Sequence, residues 1–153
     1  MESVWDYPRP PRLEPTARHI VVRHGGRLVA ETRQSLRVLE TSHPPVYYLP
    51  PADIDSSVVR EATGSSYCEW KGLARYWDVV VGDVRVPSAA WSYPEPTPAF
   101  EALRDHLAFY ADRLEACLVD GEQVRPQPGS FYGGWITNDL RGPFKGEPGS
   151  MGW

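Results

Sequence analysis

In the stretch SSYCEWKGLARYW, residues 65–77, Cys68 precedes Lys71 by three positions and Gly72 follows at once. An ammonium close to a thiol stabilises the thiolate, the form that attacks carbon or is oxidised. On that reading Cys68 is a nucleophile, and Lys71 stabilises either the thiolate or negative charge developing on a substrate. No histidine lies nearby in the chain to serve as base. The competing reading makes Cys68 a small buried apolar side chain and carries the Lys71 head to solvent past Trp70. A phosphate cradle fits poorly, because a P-loop needs GxxxxGKS or GxxxxGKT and here the lysine precedes the glycine, after aromatic residues.

Rings offer a second kind of chemistry. Trp70, Tyr76, Trp77, Trp91 and Tyr93 fall at the two ends of one predicted hairpin, so several can meet on one face and present themselves to a flat or apolar ligand. Glu69, Lys71, Arg75 and Glu95 interleave polar groups with them. In the pair Tyr47-Tyr48, strand alternation turns one ring inward and one outward, and the outward ring is a pocket wall. The ligand-binding set read from this pattern is Tyr48, Trp70, Lys71, Arg75, Tyr76, Trp91 and Tyr93, with Lys71 or Arg75 meeting an anionic group. The alternative for each ring is a core layer. Glu31, Glu40, Asp53, Asp55 and Asp78 show no spacing that pairs them as acid and base. His19, His24, His43 and His106 are scattered without metal-ligand spacing, so neither a metal nor a cofactor is expected.

The elements that position these residues read as hairpins. Residues 1–17 are proline-punctuated and polar, an extended arm over the surface with no regular element. Two apolar runs flank Gly25-Gly26, a hairpin signal. Leu36, Val38 and the run Val46 to Leu49 continue, with Pro44-Pro45 marking a loop or sheet edge. Short helical turns fit residues 51–63, ending before Gly64. Leu73, Arg75, Trp77, Val79 and Val81 lie on one side of the next strand, and Ala74, Tyr76, Asp78 and Val80 on the other. Gly82-Asp83 turns the chain back in its clearest hairpin, and Asp120-Gly121 bounds another. Thr97 and Pro98 open an amphipathic helix near 98–108, with Phe100, Leu103 and Leu107 on one face. WDYPRP at 5–10 and WSYPEP at 91–96 repeat an aromatic corner without the constant spacing of a duplication. From residue 123 onward the chain is rich in Gly, Pro and aromatics, an irregular tail packed on the body through Phe131, Tyr132, Trp135, Phe144 and Trp153. The fold expected is mainly β with minor helix: one compact domain of antiparallel hairpins, forming two packed sheets or a partly open barrel. The arm is 1–17, the core 18–122 and the tail 123–153.

Bulk composition agrees with one domain: 153 residues, 41% hydrophobic and 24% charged, with 16 Pro, 13 Gly, 6 Trp and 8 Tyr pointing to turns rather than long helices. A net charge of −4 gives no broad attraction for a phosphate backbone, so nucleic acid is not an expected partner. Neither a membrane-spanning run nor a signal peptide is legible, which places the chain in the cytoplasm with Cys68 and Cys117 as thiols. Monomer and homodimer both fit.

Taken in order, GGRLVAET, PPVYYLPPADI, YCEWKGLARYW, AAWSYPEP, LAFYADRLEACLVDGE and FYGGWIT followed by GPFKGEPGSMGW resemble the bacterial domain-of-unknown-function family 427, labelled nucleotidyltransferase-like in some collections. The resemblance covers residues 18–122 as the core and implies a compact, mainly β, soluble domain with no established activity. At Cys68, Lys71 and Gly72 it matches the family's Cys-x-x-Lys-Gly, with Glu69 where other members place proline. The Gly-Ser with paired aspartates by which nucleotidyltransferases hold magnesium is missing. The function expected is binding of a small anionic or flat molecule in an aromatic-lined pocket. An enzyme using Cys68 or Lys71, and a structural or dimerisation module, stand as alternatives.

Overall fold

The computed structural model describes residues 1–68, 70–129 and 131–153. Its strands are β1 (Glu2–Ser3), β2 (Arg12–Thr16), β3 (Ile20–His24), β4 (Arg27–Thr32), β5 (Ser35–Leu39), β6 (Val46–Tyr48), β7 (Val59–Cys68), β8 (Gly72–Val81), β9 (Val84–Ser92), β10 (Leu107–Phe109), β11 (Ala116–Val119), β12 (Glu122–Gln123), β13 (Arg125–Pro126), β14 (Trp135–Ile136) and β15 (Leu140–Arg141). They form sheets in the orders β10-β9-β8-β7, β12-β11-β3-β4 and β2-β5-β6, with ribbons β13-β14 and β1-β15. All ladders are antiparallel except β1 with β15. The expectation of a mainly β domain of antiparallel hairpins holds, with three larger sheets rather than two and no closed barrel. No helix among the described residues is long and apolar enough to cross a membrane.

The tight turns fall where glycine allows them. His24 pairs with Arg27 across Gly25 and Gly26, at φ +58° and +77°. Val81 pairs with Val84 across Gly82, at φ +59°. Such two-residue turns match the right-handed twist of the strands they join.

Two apolar clusters share the β7–β10 sheet. One, with Ile20, Val22, Val29, Val79, Phe109 and Trp135, lies between it and the β3-β4-β11-β12 sheet. The other gathers Tyr48, Ala74, Trp91, Tyr93, Phe100 and Tyr110 toward β2-β5-β6. Strand β8 runs from one cluster to the other. Ala74 and Tyr76 pack into the second, whereas Trp77, Val79 and Val81 pack into the first. Leu73 and Arg75, on the same side as Trp77, lie beyond the first cluster and are exposed.

Five expectations change. Within residues 51–63 helical turns cover only Pro51–Asp53 and Ser56–Val58, and residues 59–63, expected to continue them, open β7, where pairing with β8 takes the chain extended. Residues 98–108 form no α-helix: Pro98–Leu103 makes 3-10 turns broken at Phe100 (φ −118°, ψ 21°), and the chain then straightens into β10. Pairing with β9 buries Leu107, Ala108 and Phe109 together, more apolar surface than one helical face would cover. Within residues 1–17, Arg12–Thr16 is a regular strand paired with β5 rather than a plain arm. Tyr47 and Tyr48 do point oppositely, but a cluster covers each side of β6, so neither ring faces outward. Finally, Phe131 is 67% exposed, while Trp135, from the same tail, is fully buried.

Candidate functional site

The turn between β7 and β8 delivers Trp70 and Lys71 to one end of a cavity of about 530 Å³. Gly72, at φ +108°, takes the chain out of that turn, and a Cβ there would stand 3.2 Å from the Glu95 carbonyl oxygen. Thr97 straps the turn down. Its backbone N–H donates to the Lys71 carbonyl at 3.1 Å and its hydroxyl to the Trp70 carbonyl at 2.5 Å. The Lys71 side chain is thereby directed inward. The residue is only 9% exposed, and its Nζ lies 5.8 Å from the centre of the Tyr93 ring and 5.9 Å from that of Phe100. Among the described residues it has neither an ion-pair partner nor a hydrogen-bond acceptor.

Aromatic side chains continue the wall. Tyr48 stands 6.2 Å from Tyr93 and 6.2 Å from Trp91, which packs 4.5 Å from Tyr110. Trp91 Nε1 donates to the Tyr48 hydroxyl at 3.3 Å, Ser66 and Tyr76 share a hydroxyl hydrogen bond of 2.8 Å, and Tyr110 donates to the Phe131 carbonyl at 3.2 Å. Burial pushes the Tyr48, Tyr93 and Tyr110 phenols up, Tyr110 to about 12, so all three keep their protons at neutral pH. The Tyr48 oxygen accepts from Trp91, and its hydroxyl also lies within hydrogen-bonding reach of the Tyr93 hydroxyl.

The same cavity is also lined by groups that spacing did not reveal. His43 donates from Nδ1 to the Thr41 carbonyl at 2.9 Å and meets the Tyr132 ring edge-on at 5.2 Å. Burial holds its pKa below the usual imidazole range, against the opposing pull of Glu40, so the ring is neutral at pH 7 with Nε2 as an acceptor. Arg9 donates to the Thr41 carbonyl at 3.1 Å and lies 3.6 Å from Glu40. Lys145 is held by the Ser150 and Met151 carbonyls at 2.7 and 2.9 Å. Among the described residues the lining thus carries three cationic side chains, Arg9, Lys71 and Lys145, and one side-chain carboxylate, that of Glu40.

Of the residues expected to form a pocket, Tyr48, Cys68, Trp70, Lys71, Tyr76, Trp91 and Tyr93 all line this cavity. Arg75 does not: it pairs with Glu61 at 2.9 Å on the exposed outer face. Glu95 is likewise exposed, and Trp77 turns to the other cluster, donating to Ser92 Oγ at 2.9 Å. Glu69 lies outside the described residues. Cys68 borders the cavity, whereas Cys117 sits in the first cluster, where burial pushes its thiol up to about 12. No three metal-ligating side chains converge among the described residues.

Residues 12–120 match the family described as a domain of unknown function, DUF427, which is well over half of the chain. The chain belongs to the DUF427 family. A comparison with curated proteins finds no match. The DUF427 region supplies Glu40, His43, Tyr48, Cys68, Lys71, Trp91 and Tyr93 to the cavity, while Arg9, Gln127, Tyr132, Gly133, Lys145 and Trp153 come from outside it. The outer set is invisible to local pattern reading because each member reaches the cavity only through contacts distant in sequence. The signal closest to a warning is the glycine pair beside aromatics: Gly133 lies so close to Trp91 that an added Cβ would stand 2.1 Å from the indole.

Proposed function

We propose that this cavity binds a small organic anion with a flat, apolar body. Lys71 carries the reading: among the described residues no carboxylate stands beside its ammonium, which borders the cavity near the Tyr93 and Phe100 rings and gains a counter-ion when an anion binds there. A ligand carboxylate or comparable anion there restores the balance, while Trp91 and the phenols cover a planar body at their preferred spacings. A volume of about 530 Å³ lies within the range of small-molecule sites.

Calorimetry with 2-naphthoate, its neutral amide and 2-naphthol tests this. The acid is expected to bind at least about tenfold tighter than the amide, in line with a charge-assisted hydrogen bond. Lys71→Met should erase the preference while leaving the melting temperature equal or higher, because it replaces a buried unpaired charge by an apolar chain of similar length. Equal binding of acid and amide, or a preference that survives the substitution, overturns the reading.

A further inference from the structure

We infer that His43 is a second recognition point and that the ligand carries a hydrogen-bond donor, an O–H or N–H, on the part of its flat body remote from the anion. This rests on the Lys71 reading and adds a specificity-determining residue to it. Several observations carry the step. The Nδ1–H of His43 is committed to the Thr41 carbonyl at 2.9 Å, which fixes the tautomer and leaves Nε2 with a lone pair. No described residue donates to that nitrogen, and His43 borders the cavity. Its ring meets Tyr132 edge-on at 5.2 Å, and the next residue, Gly133, lies close against the Trp91 indole.

A run of ring contacts links the two recognition points through the cavity lining. Lys71 touches Tyr93, Tyr93 touches Tyr48, Tyr48 touches Trp91, Trp91 touches Gly133, and the neighbouring Tyr132 touches His43. A planar molecule lying along these rings therefore has its anion toward Lys71 and its other edge toward His43. The charged groups around His43 do not compete for the acceptor role: Arg9 is engaged by Thr41 and Glu40, and Lys145 by two backbone carbonyls. An acceptor on the cavity lining that no described residue supplies with a donor rewards ligands that bring one over those that bring only apolar surface to it. The ligand class that follows is a hydroxy- or amino-substituted aromatic acid.

Titration of the full chain with 6- and 7-hydroxy-2-naphthoate, 2-naphthoate and 2-naphthol, each against the unmodified protein, His43→Phe, His43→Gln and Lys71→Met, decides the matter. At least one hydroxy acid is expected to bind about tenfold tighter than 2-naphthoate, the size of one well-made hydrogen bond. His43→Phe keeps a ring against Tyr132 and should cancel that advantage without weakening 2-naphthoate, and His43→Gln, whose amide oxygen can accept, should restore part of it. Hydroxy acids that gain nothing, or whose gain survives His43→Phe, overturn the role of His43. In that event acids that still outbind 2-naphthol, and weaken in Lys71→Met, leave the anion site standing. Failure of every acid to bind removes both.

Discussion

The two cysteines share a type and differ in everything that governs reactivity. Cys117 lies in the first cluster with its thiol pushed up to about 12 by burial alone, so at pH 8 it offers a reagent almost no thiolate. Cys68 ends β7 on the border of the cavity, with partial exposure. A native chain treated with an aromatic disulfide reagent is therefore expected to gain one label, mapped to Cys68 by mass spectrometry, and a second only in denaturant. Saturating 2-naphthoate should slow the first label several-fold. Rapid labelling of Cys117 in the native state, or no protection at Cys68, would contradict this arrangement. The same residue-level contrast explains why Lys71 and Arg75, equally plausible anion partners by spacing, part company. Lys71 stands in the turn ahead of β8 and borders the cavity, whereas Arg75 lies on the exposed face of β8 and pairs with Glu61.

At the scale of elements, the hairpins were legible because their signals are local: Gly25-Gly26, Gly82-Asp83 and Asp120-Gly121 each sit in the two-residue turn they announced. Irregular pairing was not. Trp77 faces Ala90 while Val79 faces Val86, so β9 holds extra residues around Ser88 (φ +47°), pinned by the hydrogen bond of its N–H to the buried Asp78 at 2.8 Å. Nothing in the alternation of side chains announces that bulge. The tail's glycines show the same limit, since two of them look alike in sequence and differ in surroundings. Gly149, at φ +84°, has open space where a Cβ would stand, whereas at Gly146, φ +108°, that Cβ would lie 1.9 Å from the Pro128 carbonyl oxygen. Gly149→Ala is expected to cost about 1 kcal/mol of unfolding free energy, the strain of a left-handed backbone alone. Gly146→Ala should cost about 3 kcal/mol or more, because backbone must move as well. It should also loosen the cavity, since Gln127, next to Pro128, donates to the Lys145 carbonyl at 2.9 Å and accepts from Gly134 at 3.0 Å. Urea denaturation of the two variants, with equal losses as the contrary result, tests the contrast.

Over the whole molecule, the arm and tail complete the fold and do not decorate a finished core. Residues 12–120 contain the sheets β2 to β11, yet Trp135, 1% exposed, fills the first cluster, donates from Nε1 to the Phe109 carbonyl at 2.9 Å and lies 5.5 Å from Tyr47. Arm and tail also hold each other: β1 pairs with β15, Trp5 meets Trp153 at 5.2 Å, and Val4, Tyr7 and Leu39 pack together with Leu140 and Phe144. About a third of the cavity wall among the described residues was unreadable for this reason, because it is made only when the two ends of the chain close over the middle. The balance of charge has the same origin: a chain of net charge −4 concentrates Arg9, Lys71 and Lys145 around one cavity through folding, not through any basic run in sequence. If the tail is integral, removing its deepest side chain must be felt as a core defect. Trp135→Ala is expected to cost about 3–5 kcal/mol, the range for emptying a large aromatic site. Phe131→Ala, a few residues earlier but 67% exposed, should stay within about 0.5 kcal/mol of the parent. Guanidinium unfolding followed by tryptophan fluorescence and far-ultraviolet dichroism reads both. A small loss for Trp135→Ala with the two probes no longer coincident would mean that the tail unfolds separately from the sheets it covers.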